Sequence, residues 1–394
     1  MNLVEKPFGV VLLIGGGGFI AHHIINDIVS KCGVARAEDV HIYDLNISPE
    51  RTHHNNLIPL ENHHQGDICD SDRLGQVLHD VRPSVIFDLV SPAMFLHDLA
   101  FYMRINVEAR RVLLDLARET CTVKAFVFNS SAGVIHDSYS DLPNADESRP
   151  VLFIPQQREP YSHSKAVAET MVLAANGYDA NNTGANDTAQ GKWKMLTVAI
   201  RQCTPFGANH AETTVGLVEN ARKGKYRFQI GDNTNLVDWT YIENSARAFS
   251  LAAQALLMAH ESPDNGPVQD ETARVAGEAF LVSNDQPIAF WTFVRMVGEA
   301  AGHGIDIKEV KVIPRWAGMT MAFVAEWSTW LLSWGRRKSA FTRFGVRYST
   351  INKYCCIDKA KTRLKYQPWI SVEEGVRRSV LPYLTPGDTR EHGD

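Results

Sequence analysis

The chain has 394 residues, 44% of them hydrophobic, which is enough for one large domain and a second lobe around a substantial core. A net charge of -5, a pI near 6.3 and the absence of any basic block exclude a dedicated nucleic-acid-binding protein. Six cysteines are scattered without CxxC spacing, so they give no metal motif and fit a reducing compartment. Residues 1–8 are too polar and short for a signal peptide, and we expect the chain to start in the cytosol.

The first motif is an apolar run followed by a glycine-rich turn. Residues 10–14 are typical of a strand buried on both faces of a parallel sheet, and residues 22–29 have helical periodicity. Between them, glycines would let the backbone approach a pyrophosphate that the helix N-terminus attracts. We therefore predict the first unit of a dinucleotide-binding fold, with an ordinary flexible turn as the alternative. The residues expected to contact the cofactor here are Gly15, Gly18, Phe19 and Ile20.

Two acidic residues follow the next strands. Asp44 ends the apolar run 40–43, about 25 residues beyond the glycines, where an acid can hydrogen-bond both ribose hydroxyls and would repel a 2′-phosphate. NAD is therefore expected in preference to NADP, although a capping or turn role for Asp44 stays open. Asp67 and Ile68 follow a third short strand, at a position expected to meet the adenine.

Two further strands, 85–90 and 125–129, continue the β/α alternation. Ser131 follows the second of them, at the carboxyl end where ligands bind in open α/β sheets, so its hydroxyl could meet a substrate oxygen. A serine at a strand end is also a common cap. Together the alternating elements predict an α/β fold with a Rossmann-type doubly wound parallel sheet.

Tyr161 and Lys165 lie four residues apart at the start of an amphipathic run, so a helix would place the phenol and the ammonium on one face. A tyrosine with a pKa of about 10 is a poor base at neutral pH, and a lysine one turn away favours its phenolate. Such a pair can remove the proton of an alcohol. A surface tyrosine beside a solvated lysine gives the same spacing, so this interpretation depends on the surrounding motifs.

The β/α alternation weakens after residue 203. We therefore expect a cofactor-binding domain at 1–203, joined by a return segment at 236–258, and a smaller mixed α/β substrate lobe at 204–394.

Within the predicted lobe, residues 316–334 are nearly all apolar and contain Trp327, Trp330 and a single acid, Glu326. Arg336, Arg337 and Lys338 follow them. A helix at a membrane interface, a core helix lining the pocket and a true membrane span are the three alternatives. The mid-segment glutamate and the flanking cations favour the first.

Together these features resemble the extended short-chain dehydrogenase/reductases. More narrowly, they resemble the 3β-hydroxysteroid dehydrogenase branch that contains the decarboxylating sterol-4α-carboxylate dehydrogenases. The resemblance covers nearly the whole chain and is carried by the glycine-rich turn, the tyrosine and lysine motif, and the segments 106–108, 130–134, 231–242, 277–280, 284–287, 357–360 and 364–368.

The resemblance implies that Ser131, Tyr161 and Lys165 form a catalytic triad, that Tyr161 and Lys165 also contact the cofactor, and that Asn106 lies in the cofactor pocket. Gln202 stands where the family usually has proline, which leaves the exact substrate open. The implied reaction is NAD(P)-dependent oxidation of the 3β-hydroxyl of a sterol or triterpenoid 4-carboxylate to the 3-ketone with loss of CO2, the C-4 demethylation step, in a secondary triterpenoid or steroid pathway.

Two alternatives stay open: a 3β-hydroxysteroid dehydrogenase without decarboxylation, and a non-catalytic cofactor-sensing protein. The expected partners are the small-molecule substrate, a membrane surface and a second copy of the chain in a homodimer, with no nucleic acid and no metal. The expected location is the cytoplasmic side of the endoplasmic reticulum membrane or the cytoplasm.

Overall fold

The computed structural model describes residues 6–47, 57–94, 96, 98–179, 194–261, 273–334 and 336–384. Its strands are β1 (Val11–Ile14), β2 (Val40–Asp44), β3 (His63–Gln65), β4 (Val85–Asp88), β5 (Ala125–Ser131), β6 (Leu142–Ala145), β7 (Tyr178–Asp179), β8 (Lys194–Gln202), β9 (Pro205–Phe206), β10 (Phe228–Ile230), β11 (Leu236–Val237), β12 (Thr240–Tyr241), β13 (Glu278–Val282), β14 (Ile288–Ala289), β15 (Lys311–Ile313) and β16 (Lys353–Cys355). Its α-helices are α1 (Phe19–Asn26), α2 (Ser71–Val81), α3 (Leu99–Met103), α4 (Ala109–Glu119), α5 (Pro160–Ala174), α6 (Gly216–Arg222), α7 (Ile242–Glu261), α8 (Phe290–Ala300), α9 (Arg315–Leu332), α10 (Arg343–Tyr348) and α11 (Val372–Val380).

The large sheet is parallel and has the spatial order β3-β2-β1-β4-β5-β8-β13, with β7 added antiparallel to β8. The order 3-2-1-4-5 is that of the doubly wound dinucleotide-binding fold, so the predicted fold class is confirmed. The chain leaves β3 at one edge and returns to β4 on the other side of β1. This reversal opens a crevice beyond the carboxyl ends of β1 and β4, where ligands bind in such sheets.

Side chains of the central strands point alternately to two hydrophobic layers, as a strand's period of two requires. On β1, Val11 and Leu13 pack with α1 and α7 on one face of the sheet. Leu12 and Ile14 pack with α2, α4 and α5 on the other face. Because both faces are covered, β1 and its neighbours are continuous apolar runs rather than alternating ones.

The two expected segments exchange strands across the boundary at residue 203. β13, from 204–394, completes the large sheet, while α7, most of which lies in the expected return segment at 236–258, completes one of its helical layers. β6, from 1–203, joins β14, β11 and β16 in a separate four-stranded sheet. The structure therefore differs from the expected division, because long-range strand pairing adds β13 to the first domain and takes β6 from it.

The second lobe has its own aromatic core. Trp239 is buried and stacks on Phe293 of α8, with 3.6 Å between the ring centroids. Phe206 packs edge-on against Phe293, and α11 closes the cluster with Val372 and Val376. This core lies directly after the carboxyl ends of β8 and β12, so it supports the loops that face the crevice.

Helix α9 is the apolar segment whose environment the sequence left open. Only Gly318 and Ala322 are buried, and they contact Ile230 and Val346. The large apolar side chains on the rest of the helix are exposed: Trp316, Met321, Phe323, Val324, Trp327, Trp330, Leu331 and Leu332. The core-helix alternative is therefore wrong. None of the described helices is long and apolar enough to cross a membrane, so the span is not supported either.

Candidate active site

A cavity of about 930 Å³ lies at the carboxyl ends of β1, β4, β5 and β8. It extends from the glycine-rich turn, past Tyr161, to residues 338–345 beside α9. Its size is that of a pocket for a large organic ligand. The crevice expected from the strand order is thus continuous with the second lobe.

The backbone of the glycine-rich turn passes so close to its neighbours that side chains would not fit at Gly15 and Gly16. Gly15 has a φ of +82°, which favours glycine, and a Cβ on Gly16 would lie 2.4 Å from the Cβ of Ile42. The turn leads directly into α1, whose N-cap is Gly18, so no capping side chain covers the N-terminus of this helix. This arrangement fits a pyrophosphate held by backbone N–H groups at a helix N-terminus. Gly15, Gly18, Phe19 and Ile20 all line the cavity.

Asp44 ends β2 beside this turn. Its Oδ2 accepts the N–H of Gly17 at 3.0 Å, and its Oδ1 accepts the N–H of Asn46 at 2.9 Å. A carboxylate has about four acceptor positions, so both oxygens keep capacity for ribose hydroxyls. The donor set therefore fits the ribose of NAD.

Asp44 and three other predicted cofactor residues, Asp67, Ile68 and Asn106, are not among the residues that line the cavity. Asp67 is exposed after β3, where its Oδ1 accepts the N–H of Cys69 at 2.9 Å, and Ile68 is buried in the core. Asn106 is fully buried and donates to Ser164 Oγ at 2.9 Å. Ser164 Oγ in turn donates to the carbonyl of Tyr161 at 2.7 Å. Asn106 thus fixes the start of α5 rather than facing the cavity.

Tyr161 lies in the first turn of α5 and lines the cavity. Pro160 starts the helix, where its fixed φ costs no hydrogen bond. Ser91 Oγ lies 3.4 Å from the phenolic oxygen, and the ring of Tyr102 packs edge-on at 5.7 Å. The phenol therefore faces the cavity from a firmly held ring.

Lys165 is fully buried one turn further along α5. Its Nζ donates to the carbonyl of Asn129 at 2.7 Å and lies 4.9 Å from the ring centroid of Phe128. Burial lowers the pKa of Lys165 well below its usual range, and repulsion by Arg110 acts in the same direction, whereas Asp88 opposes it. Burial thus works against the ammonium form of Lys165, and this lysine is not among the residues that line the cavity.

Ser131 ends β5 and lines the cavity, where its Oγ accepts the N–H of Gly133 at 3.1 Å. Ser130 also lines the cavity, and its Oγ donates to Glu169 of α5 at 2.6 Å. Arg201 on β8 also donates to the Glu169 carboxylate, through its Nε and its Nη2. This buried network joins β5, β8 and α5 beneath the site, so it fixes Ser131 relative to the helix that carries Tyr161.

Gln202, at a position where the resemblance led us to expect a proline, has two hydrogen-bond partners. It donates to the side chain of Asn129 at 2.5 Å and accepts from Ser245 of α7 at 2.5 Å. It also lines the cavity. Gln202 thus forms a polar link between β5 and α7, which a proline at this position could not make.

Several cavity residues were missed by sequence reasoning because they come from distant segments. The position of Ser91 after strand β4 could have indicated its place in the cavity, whereas nothing in the sequence around Lys353 indicated such a place. Cys203 and Cys355 are 152 positions apart, yet their sulfurs are 3.5 Å apart in the cavity wall. They form a group with Asp238, whose pKa burial raises to about 7. No spacing rule could have joined these residues.

Comparison with known proteins agrees with the geometry. The model of the 3-beta hydroxysteroid dehydrogenase/isomerase family matches residues 12–314. The decarboxylating sterol-4-alpha-carboxylate 3-dehydrogenase of Saccharomyces cerevisiae is 33% identical over 94% of this chain and 96% of its own. The mouse enzyme of the same name is 29% identical over 94% of this chain and 90% of its own.

Solved structures agree at the level of the fold. A dTDP-glucose 4,6-dehydratase from Bacillus anthracis in complex with NAD has a TM-score of 0.62 at 17% identity, covering 95% of this chain and 96% of its own. A Thermus thermophilus UDP-glucose 4-epimerase complex with NAD has a TM-score of 0.60 at 18% identity, covering 94% of this chain and 97% of its own. With a family match over most of its length and a relative at 33% identity, the chain belongs to the 3-beta hydroxysteroid dehydrogenase/isomerase family.

Proposed function

We propose that this protein oxidises the 3β-hydroxyl of a sterol or triterpenoid 4-carboxylate to the 3-ketone with loss of CO2, using NAD. The observation that carries the proposal is one cavity that joins the glycine-rich turn, Ser131 and Tyr161 to the apolar second lobe. The names of the relatives, sterol-4-alpha-carboxylate 3-dehydrogenases, supply the substrate class.

In this mechanism Tyr161, as phenolate, removes the proton of the 3-hydroxyl, and Ser131 orients the same oxygen by a hydrogen bond. Lys165, in its ammonium form, would favour the phenolate from one turn further along α5. NAD, when bound, accepts the hydride of C3. Asp44 holds the ribose hydroxyls, and the glycine-rich turn holds the pyrophosphate.

Decarboxylation then needs no further acid or base of its own. The 3-ketone makes the acid a β-keto acid, whose C–C bond electrons move into the ketone as CO2 leaves. Tyr161 has received a proton in the first step, and it can donate a hydrogen bond to the developing enolate oxygen together with Ser131. The enolate then takes up one proton at C4, from water, to give the ketone.

The proposal is tested by mixing the purified protein and NAD with a 3β-hydroxysteroid 4α-carboxylate. NADH should form, and a substrate carrying deuterium at C3 should slow its formation and deliver the label to NADH. Formation of NADH only from sugar nucleotides would contradict the proposal, because the fold is shared with epimerases and dehydratases.

Asp44 should decide between the two nicotinamide cofactors. In the Asp44→Asn variant the charge that repels a 2′-phosphate is lost, while the side chain keeps its shape. We expect the NAD over NADP preference in kcat/KM to fall about tenfold to hundredfold, the range of charge-assisted hydrogen bonds. The matched variant Asp67→Asn should leave the preference unchanged, and an unchanged preference in Asp44→Asn would contradict the role of Asp44.

The exposed face of α9 supports the proposal of a peripheral membrane contact. Trp327 and Trp330 pack edge-on at 5.8 Å and stay exposed, and three exposed cations, Arg336, Arg337 and Lys338, follow the helix. Amphipathic aromatic rings beside cations suit an interface with anionic lipid headgroups. Glu326 and Lys338 also line the cavity, so the contact would lie next to its opening. The location at the endoplasmic reticulum and the homodimer stay predictions.

The membrane contact predicts flotation with vesicles that contain phosphatidylcholine and anionic phosphatidylserine. Replacing both Trp327 and Trp330 by Ser should weaken vesicle binding by about tenfold or more, because two large apolar side chains no longer leave water. Trp369→Ser is the matched control, since Trp369 is 52% exposed, against 56% for Trp327, but lies elsewhere. Equal weakening by the control, or no binding of the unmodified protein, would contradict the contact.

A further inference from the structure

We infer that Lys353 forms a carboxylate-binding subsite in the cavity wall and holds the 4-carboxylate of the substrate. The inference rests on the proposed function, which gives the ligand its negative charge. It adds the residue, Lys353, by which the protein would distinguish a sterol 4-carboxylate from the same sterol without the carboxylate.

The cavity offers few cations for such a ligand. Among the described residues that line it, the permanently charged cations are Lys338 and Lys353. His136 and His210 also line it, but burial lowers the pKa of both, to about 4 for His210, so these imidazoles are neutral at neutral pH. A carboxylate entering this apolar space therefore has two lysines as candidate partners.

The two lysines differ in their surroundings. Lys338 is exposed at the end of the α9 segment and reaches only the carbonyl of Leu96, at 3.5 Å. Lys353 is half-buried in β16, a strand paired with β6 and β11. Its Nζ lies 3.6 Å from the ring centroid of Tyr348, which holds the ammonium in one direction. Lys353 is thus the half-buried cation with a positioned ammonium, and Lys338 is the exposed one.

Within the part of the chain that the structure describes, the contact of the Lys353 Nζ is the ring of Tyr348, and no salt bridge of Lys353 with a carboxylate is found there. The acid that acts on it from nearby is Asp238, whose own pKa is raised to about 7 by burial, so this carboxyl neutralises it only in part. Removing an ammonium group partly from water without a counter-ion costs free energy. An anionic ligand would relieve that cost.

Lys353 is also near the reacting end of the cavity. Lys353 acts electrostatically on two groups there. One is His136, which follows Ser131 by five residues and whose pKa is lowered mainly by burial. The other is Cys203, which directly follows β8 and whose pKa is raised mainly by its hydrogen bond with Cys355. His136 therefore lies shortly after β5, which carries Ser131, and Cys203 lies directly after β8, the neighbouring strand. In the substrate, C4 is bonded to C3, so a cation there can reach the carboxylate while Tyr161 meets the hydroxyl.

The subsite has a consequence for turnover. Loss of CO2 removes the negative charge, so the product ketone makes no ion pair with Lys353. Substrate acid should bind more tightly than product, and product release follows from the reaction itself.

The test uses an acid that cannot react: a steroid with a 4α-carboxylate and no 3-hydroxyl, beside the same steroid without the carboxylate. Affinities are measured by protein fluorescence in the presence of NADH. We expect the unmodified protein to prefer the acid, and Lys353→Met to lose affinity for the acid by about tenfold to hundredfold. Affinity for the neutral steroid should stay unchanged, which also shows that the variant is folded.

Lys338→Met is the matched control and should keep the preference for the acid. The inference is overturned if Lys353→Met binds the acid as tightly as the unmodified protein does. It is overturned equally if Lys338→Met is the variant that loses the preference for the acid. The same holds if Lys353→Met binds the acid and the neutral steroid more weakly to the same extent. Failure of the proposed function is separate, because it appears as an absence of NADH with the hydroxylated acid.

Discussion

The Tyr161→Phe variant is expected to lose about a thousandfold in turnover, because a positioned general base contributes about 10²–10⁴ to the rate. Its affinity for NAD should change little, since the aromatic ring and its edge-on contact with Tyr102 remain. Turnover is measured as NADH formation from the steroid 4-carboxylate, and affinity by quenching of protein fluorescence with NAD.

Tyr139→Phe is the matched control. It makes the same chemical change on a ring that contacts Arg158 and Arg347 and does not line the cavity. This variant should keep its turnover. In a protein that only senses the cofactor, Tyr161→Phe should have no effect on function. Full retention of turnover in Tyr161→Phe would therefore contradict a catalytic role for the phenol and favour a sensor.

The Arg110→Met variant is expected to lower the free energy of unfolding by about 3–5 kcal/mol, the usual cost of leaving a buried charge without its partner. Arg110 and Asp88 are both completely buried, and the guanidinium binds both carboxylate oxygens. It also donates to the carbonyl of Asn106 at 2.9 Å. Removing it would leave Asp88 charged in the core between β4 and α4.

Urea unfolding measures this difference. Arg118→Met on the same helix removes a surface pair with Asp115 and should cost only about 0–1 kcal/mol. If the two variants were equally stable, the buried pair would not contribute as the structure indicates. Because Arg110 also repels Lys165, its loss should in addition raise the pKa of that lysine.

Local sequence was enough to predict the parts of the fold that depend on neighbours in the chain. The strand, glycine turn and helix around Gly15, and Asp44 at the end of β2, lie within one βαβ unit, whose spacing is nearly fixed. Tyr161 and Lys165 are one helical turn apart, and the structure places both on α5. The fold class was therefore predicted correctly, and the roles of these residues stay predictions.

What could not be predicted depends on contacts between distant segments. Strand β13 completes the large sheet from beyond residue 203, and β6 leaves it for the other lobe. Lys353 reaches the cavity only because β16 pairs with β6 and β11. The apolar composition of α9 could not distinguish core from surface, because composition does not say which neighbours cover a helix.

The proposed reaction is tested most directly by the ratio of NADH to CO2. The purified protein is given NAD with a 3β-hydroxysteroid 4α-carboxylate, and in parallel with the same steroid lacking the carboxylate. The account predicts equal amounts of NADH and CO2 from the acid and little NADH from the plain alcohol. NADH from the plain alcohol at a similar rate, with no CO2 from the acid, would contradict it and identify a simple 3β-hydroxysteroid dehydrogenase.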